Sequence, residues 1–220
     1  YGAPGLDYLF RQELLNKDEL SSQIDVKLNG RVILITYHPV TLRVNQTTEH
    51  YQQLFDALES LEGVTIIFTY SNADTHGGEI PNLIEAYKKY SKHIVYSFKS
   101  LGSKRYLSLV KNCDVVVGNS SSGLIEVPYL NKPTVNIGER QKGRLRANTV
   151  IDCGVDRASI KQAINYSFSD EMTQLCKSPR TSYIWNNTSY KIKEKIKNIS
   201  LDDIIVKSFY TLPSESLSCE

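Results

Sequence analysis

Residues 114–126 read DVVVGNSSSGLIE, and this stretch decides the fold. A short β-branched run stops at a glycine, passes through three hydroxyl side chains and a second glycine, and re-emerges as a helix-forming segment. An unbroken apolar run of this length, bounded by turn residues, suits a strand buried on both faces of a parallel sheet. Working outward, the same pattern recurs in residues 31–37 (RVILITY), 64–70 (VTIIFTY), 93–98 and 134–137. Amphipathic segments lie between these runs. Residues 48–61 place Tyr51, Leu54, Phe55 and Leu58 three and four apart, and residues 79–90 carry Leu83, Ile84 and Tyr87. Ser103 is placed to cap a helix holding Tyr106, Leu107 and Val110, and residues 123–130, 156–166, 190–199 and 201–210 complete the helices. Strand and helix in alternation predict an α/β chain with a doubly wound, mostly parallel, Rossmann-like sheet. Residues 1–25 read as a linker and lead-in helix, 26–210 as the sheet domain, and the Ser-rich residues 211–220 as a loose tail.

The bulk composition narrows the function. The 220 residues carry 26 Lys plus Arg against 24 Asp plus Glu, scattered along the chain. This near-balance points away from a nucleic-acid partner. No apolar run is long enough to span a bilayer, and no signal peptide is visible. Cys113, Cys153, Cys176 and Cys219 show no CxxC spacing, so neither a metal site nor a redox motif is indicated. They read as free thiols in a reducing, cytoplasmic compartment, where Asn45 and Asn198 are chance glycosylation triplets. The opening Tyr-Gly-Ala-Pro-Gly resembles a segment inside a longer protein, and a preceding domain is expected.

In doubly wound sheets, ligands sit beyond the carboxyl ends of the strands. His38, with Pro39 behind it, follows the first strand and is placed to meet a phosphate. The loop after the second strand carries Asn72, Asp74, Gly77 and Gly78, small groups that let a ligand approach. Residues 99–102 offer backbone groups to a base edge. Ser120, Ser121 and Ser122 open a helix whose amide groups and positive dipole end form a phosphate cradle, and Glu126 is positioned for the two hydroxyls of a ribose. Residues 138–146 (GERQKGRLR) bring Arg140 and Arg144 to the next strand end, suited to bidentate contact with a diphosphate. Each loop also has a plain structural reading, as a capping turn or a solvated basic loop. Walker A, GxGxxG, HExxH and GxSxG motifs are absent from the sequence, and neither a cofactor nor a metal is called for.

Taken together, HPVT from His38, GNSSSGLIEVP from Gly118 and NIGERQKGRLRANTVI from Asn136 resemble the C-terminal domain of hydrolysing UDP-N-acetylglucosamine 2-epimerases of sialic acid and related nonulosonate pathways. The resemblance covers nearly the whole chain. It implies one half of a two-domain, GT-B-like enzyme with UDP held mainly here. It further implies His38 and Arg140 as catalytic groups at the phosphates, with Asn72 in the same cleft. Leu101 falls in the loop whose backbone reads uracil, Ser120 and Ser121 in the diphosphate pair, and Glu126 at the ribose; Arg144 extends the cationic loop. The acid and base carboxylates are implied on an N-terminal domain missing from this chain, so that the chain alone binds UDP without epimerising. A homo-oligomer, dimer or tetramer, is implied for the full-length enzyme.

Three alternatives remain open at this point: a GT-B glycosyltransferase using a UDP-sugar, a non-hydrolysing 2-epimerase, and a nucleotide-binding module without catalysis. The non-hydrolysing group carries a D-S-G-G turn where this chain has Asn119-Ser120-Ser121-Ser122-Gly123, which favours hydrolysis.

Overall fold

The structure, a computed structural model, describes residues 1–38, 46–70, 79–183 and 187–202. The chain runs α1 (Pro4–Arg11), α2 (Lys17–Ile24), β1 (Arg31–Thr36), α3 (Thr47–Glu59), β2 (Val64–Thr69), α4 (Glu79–Tyr90), β3 (Ile94–Phe98), α5 (Gly102–Asn112) and β4 (Val115–Gly118). It continues through α6 (Ser122–Tyr129), β5 (Thr134–Ile137), β6 (Val150–Cys153), α7 (Arg157–Ser167), α8 (Asp170–Lys177) and α9 (Thr188–Asn198). The six strands form one sheet in the order β3-β2-β1-β4-β5-β6, every neighbouring pair parallel.

The apolar runs are unbroken because both faces of the sheet are covered. Side chains alternate across a strand, so Ile33 and Ile35 of β1 join Tyr51, Leu54, Phe55, Ile84, Tyr87, Ile160 and Ile164 on the face under α3, α4 and α7. Val32 and Leu34 point the other way, to Leu20, Ile24, Leu109, Val110 and Val127 under α2, α5 and α6. On the first face the Phe55 and Tyr87 rings stack at 4.3 Å. Each fully buried Ile or Leu contributes about 1.5–3 kcal/mol, which is why the central strands consist of little else.

Four features depart from the sequence expectation. Residues 1–25 hold two helices instead of a linker with one. α2 begins with a capping box, in which the Asn16 side chain accepts from the Glu19 amide while Glu19 reaches back to the Asn16 amide. The helix after β3 starts at Gly102 with Leu101 as N-cap, so Ser103 lies inside it and does not cap it. β6 and α8 were not anticipated: β6 is a half-exposed edge strand, and α8 is an eight-residue helix capped by Ser169 accepting from the Met172 amide. Of the helix expected at 201–210, residues 201 and 202 are non-helical and the rest lie outside the described residues, as does the tail at 211–220.

α1 packs through Leu6 and Leu9 beside Leu107, Ile125 and Tyr129. Its Asp7 accepts from the backbone amides of Thr188 (3.1 Å) and Ser189 (2.6 Å), which caps α9 and ties the two ends of the domain together. Hydrogen bonds from the Ser189 hydroxyl and then the Ser189 amide hold the Asp7 carboxyl below the usual aspartate value. A depressed folded-state pKa gives stability that is present above the unfolded value and is lost as pH falls through the folded one. Asp7→Ala is therefore expected to lower the Tm by several degrees at neutral pH and by less in acid, as followed by thermal melts across pH.

Candidate nucleotide site at the strand-order reversal

β1 and β4 are neighbours in the sheet although α3, β2, α4, β3 and α5 separate them in the chain. The connections leaving their carboxyl ends run in opposite directions, and such a reversal opens a crevice. A cavity of about 400 Å³ lies there, and its wall includes His38, Leu101 and Ser120, with Tyr106, Ser122 and Lys99 beside them.

Two glycines set the geometry. Gly118 ends β4 at φ +141°, paired with Thr36 of β1, and a Cβ there would fall on the Thr36 carbonyl oxygen. Gly123 opens α6, and a Cβ there would sit 2.7 Å from the Thr134 methyl carbon. Thr134 also donates its hydroxyl to the Gly123 carbonyl at 2.6 Å, locking the helix start onto β5. The GNSSSG spacing therefore comes from two close approaches of the backbone, one before and one after the hydroxyl triplet.

Asn119 joins the two sides of the crevice. Its Oδ1 accepts from the His38 amide at 2.7 Å and its Nδ2 donates to the His38 carbonyl at 2.9 Å. The Asn119 carbonyl accepts from Arg140 Nη1 at 3.0 Å and from Gln141 Nε2 at 2.7 Å. One buried residue thus holds the His38 loop with its side chain and the 138–146 loop with its backbone. On the other side Tyr51 donates to the Tyr37 carbonyl at 2.6 Å. Asn119→Ala leaves the His38 backbone amide and carbonyl without these partners. The expected loss is about 1–3 kcal/mol of stability, with His38 amide exchange, read by NMR, accelerated more than exchange in the β2 core.

Ser121, Glu126, Arg140 and Arg144 are not among the residues of the cavity wall. Ser121 is the N-cap of α6 and makes no side-chain cap hydrogen bond. Arg140 lies against the Asn119 carbonyl and is otherwise exposed, and Arg144 is exposed further along the same loop. Lys142 and Arg146 of that loop pair with Glu139 and Asp152. Among the described residues, neither Arg140 nor Arg144 forms a salt bridge, and Arg140 is held by the Asn119 carbonyl next to Ser120 in the turn. Leu101 is buried, with its carbonyl accepting from Arg105 Nε at 2.9 Å. Glu126 lies one turn along α6 from Ser122. Burial raises its carboxyl pKa, opposed in part by a hydrogen bond from Ser122, and its Oε2 is buried with no hydrogen-bond partner. Asn72, and the Asp74, Gly77 and Gly78 of its loop, lie outside the described residues.

Among the described residues no group of three or more His, Cys, Asp or Glu is arranged to hold a metal ion, and no helix is long and apolar enough to cross a membrane. The roles of Asn119, Gln141 and Tyr106 had no signal in the sequence beyond their places in a turn, a basic loop and a helix.

A family model described as UDP-N-acetylglucosamine 2-epimerase matches residues 1–197. The chain belongs to this family. A Campylobacter jejuni member named GDP/UDP-N,N'-diacetylbacillosamine 2-epimerase (hydrolyzing) is 39% identical over 199 residues, covering 90% of this chain and 51% of that protein. An Escherichia coli relative, polysialic acid biosynthesis protein P7, is 33% identical over 220 residues, covering 96% of this chain and 54% of its own length. The chain spans about half the length of the curated relatives it matches. Among solved structures, the Staphylococcus aureus MnaA–UDP complex aligns with a TM-score of 0.67 at 16% identity, over 89% of this chain and 52% of that one. An enzyme described as a putative UDP-N-acetylglucosamine 2-epimerase from Listeria monocytogenes gives 0.65 at 19%, over 89% of this chain and 52% of that one. At these identities the structural likeness carries the epimerase fold alone.

Proposed function

We propose that this chain is the UDP-holding part of a hydrolysing UDP-N-acetylglucosamine 2-epimerase, which turns a UDP-linked 2-acetamido sugar and water into the free 2-epimer and UDP. The observation that carries this reading is the crevice at the strand-order reversal, with His38, Leu101 and Ser120 in its wall, in a chain so close in sequence to a hydrolysing 2-epimerase. In the first step a base takes the proton at C2, that electron pair forms the C1=C2 bond, and the C1–O bond breaks with its pair leaving on UDP. Water then adds across the glycal, hydroxyl to C1 and proton to C2 on the opposite face from the one it left.

The proposal gives this chain the leaving-group half of that chemistry. UDP departs with one more negative charge on its terminal phosphate. Groups fixed in advance where that charge develops lower the barrier most. Ser120, Ser121, the first amides of α6, His38 and Arg140 are assigned to the diphosphate, with Arg144 as an outer cation. The backbone around Leu101 is assigned to uracil and Glu126 to the ribose hydroxyls; Asn72 is assigned to the same cleft. The base for C2 is assigned to an N-terminal domain, the enzyme to the cytoplasm in nonulosonate or sialic acid biosynthesis, and the full-length assembly to a homo-oligomer with neither nucleic acid nor membrane as partner. A second reading of the sugar, a diacetamido-trideoxy one, is favoured by the 39% identity to the diacetylbacillosamine enzyme.

Incubating the enzyme that carries this chain with UDP-N-acetylglucosamine or its diacetamido counterpart, followed by proton NMR, tests the reading. Free 2-epimeric sugar and UDP are expected. A UDP-linked epimer would replace it with the non-hydrolysing reaction, and turnover that requires an acceptor alcohol would replace it with glycosyl transfer. For the 220-residue chain itself, failure to bind millimolar UDP in calorimetry would remove the assignment of the crevice.

A further inference from the structure

Residues 139–146 are all exposed except Gln141. Two tight turns fold this residue inward until it is 1% exposed, one closed by the Lys142 amide on the Glu139 carbonyl at 2.9 Å, the other by the Arg144 amide on the Gln141 carbonyl at 3.2 Å. Gln141 Nε2 donates to the Asn119 carbonyl at 2.7 Å, beside the Arg140 Nη1 bond to the same oxygen at 3.0 Å. Gln141 Oε1 is buried with no hydrogen-bond partner among the described residues. A buried acceptor left unpaired lowers stability, and a methionine of similar length would fill the place without that loss. What methionine lacks is the donor. The amide is therefore explained by its bond to Asn119 and not by packing.

The Asn119 carbonyl belongs to the peptide unit that joins Asn119 to Ser120. That unit is planar, and its C=O and N–H point in opposite directions. Two donors on the oxygen fix the rotation of the plane, and with it the direction of the Ser120 N–H. Ser120 lines the crevice, and among the described residues its amide has no hydrogen-bond partner. Donors on the oxygen also polarise the peptide, which makes its N–H a stronger donor. The two donors differ in what else they can do. Arg140 is exposed and carries further N–H groups that a ligand can take. Gln141 is enclosed, so it keeps hold of the carbonyl when Arg140 turns to a diphosphate.

We propose that Gln141 is a positioning residue for the leaving group: by holding the Asn119 carbonyl, it keeps the Ser120 amide directed at the diphosphate. This rests on the UDP reading given above. Gln141 does not touch the nucleotide. Its effect passes through one peptide unit, and it grows as the C1–O bond breaks and charge collects on the departing phosphate.

The test is an NMR titration of the isotope-labelled 220-residue chain with UDP and with uridine. In the parent, UDP should carry the Ser120 amide proton downfield, and uridine should leave it in place. Gln141→Met should weaken UDP by about 5-fold, the worth of one neutral hydrogen bond. It should also shrink the Ser120 shift and leave uridine affinity unchanged. Gln141→Glu keeps the length of the side chain and carries the test if the methionine variant does not fold. At pH 8 its carboxylate sets an acceptor against an acceptor, and UDP should bind more weakly than to the parent. At pH 5 the protonated carboxyl donates as the amide does, and UDP affinity should return toward that of the parent at the same pH. Unchanged UDP affinity and Ser120 shift in Gln141→Met, or equal weakening of UDP and uridine, overturns the inference, as does a Gln141→Glu deficit that is the same at both pH values. UDP binding that leaves the parent's Ser120 amide unmoved also sinks it, with the UDP reading still standing on the affinity. No binding of UDP by the parent removes that reading first and the inference with it.

Discussion

Gly118→Ala is expected to cost the domain about 3 kcal/mol or more, a large share of the stability of an ordinary domain. Two independent costs meet at this residue. Its φ of +141° is a conformation that side-chain-bearing residues rarely adopt. The added methyl would also overlap the Thr36 carbonyl oxygen, a backbone atom that accepts from the Asn119 amide at 3.3 Å and has no rotamer to move into. Relief requires β1 and β4 to separate at their carboxyl ends, where Thr36 and Gly118 are register partners. The crevice and the Asn119 clamp on His38 lie immediately beyond that point. Urea unfolding of the purified variant, compared with Gly63→Ala, separates the two costs. Gly63 also has positive φ, but a Cβ there meets nothing within 4 Å, so its variant should lose only the conformational share. Equal midpoints for the two variants would remove the steric argument.

Glu126→Gln is expected to move stability and binding in opposite directions. Burial raises the Glu126 pKa in the folded chain. A carboxyl whose folded pKa lies above its unfolded value favours folding most when protonated. Its destabilising effect sets in as pH rises through the unfolded value and is complete above the folded one. The uncharged amide removes that penalty, so the variant should melt higher than the parent at neutral pH and match it more closely in acid. Binding runs the other way. If the ionised carboxylate takes two ribose hydroxyls, its replacement should weaken UDP by on the order of 1–3 kcal/mol, or about 5- to 150-fold in Kd. In the parent, UDP affinity should fall as pH is lowered through the Glu126 pKa; in the variant that dependence should vanish. Parallel thermal melts and calorimetric titrations between pH 5 and 8 measure both. Unchanged UDP affinity in the variant would remove Glu126 from the site.

The central strands were readable because burial on both faces leaves a plain mark: VILI in β1 and VTIIF in β2 contain little that water could solvate. β6 was missed for the converse reason. It forms the edge of the sheet, is half exposed, and reads VIDC, with Asp152 turned out to meet Arg146. α8 was missed because eight residues with buried Met172 and Cys176 make too short a stripe to stand out as periodic. At the candidate site, the hydroxyl triplet and its flanking glycines were visible, since a strand, a glycine and a run of serines before a helix is a local pattern. The partners of that turn were not. Asn119 and His38 are 81 residues apart, and Tyr106 and Ser122 belong to different helices.

The sequence by itself determined the alternation of β1 to β5 with the helices between them, the two-sided cover of the central strands, and the places where the backbone turns toward a ligand. All three follow from side-chain periodicity and from which residues tolerate a turn, properties of a few consecutive positions. Only the tertiary structure decided that β1 lies beside β4, that Asn119 therefore spans the opening to His38, and that the Tyr106 phenol of α5 meets the Ser122 hydroxyl at the start of α6. Strand adjacency is chosen by how crossover helices pack onto the sheet. Contacts between side chains far apart in the chain exist only once that packing is complete.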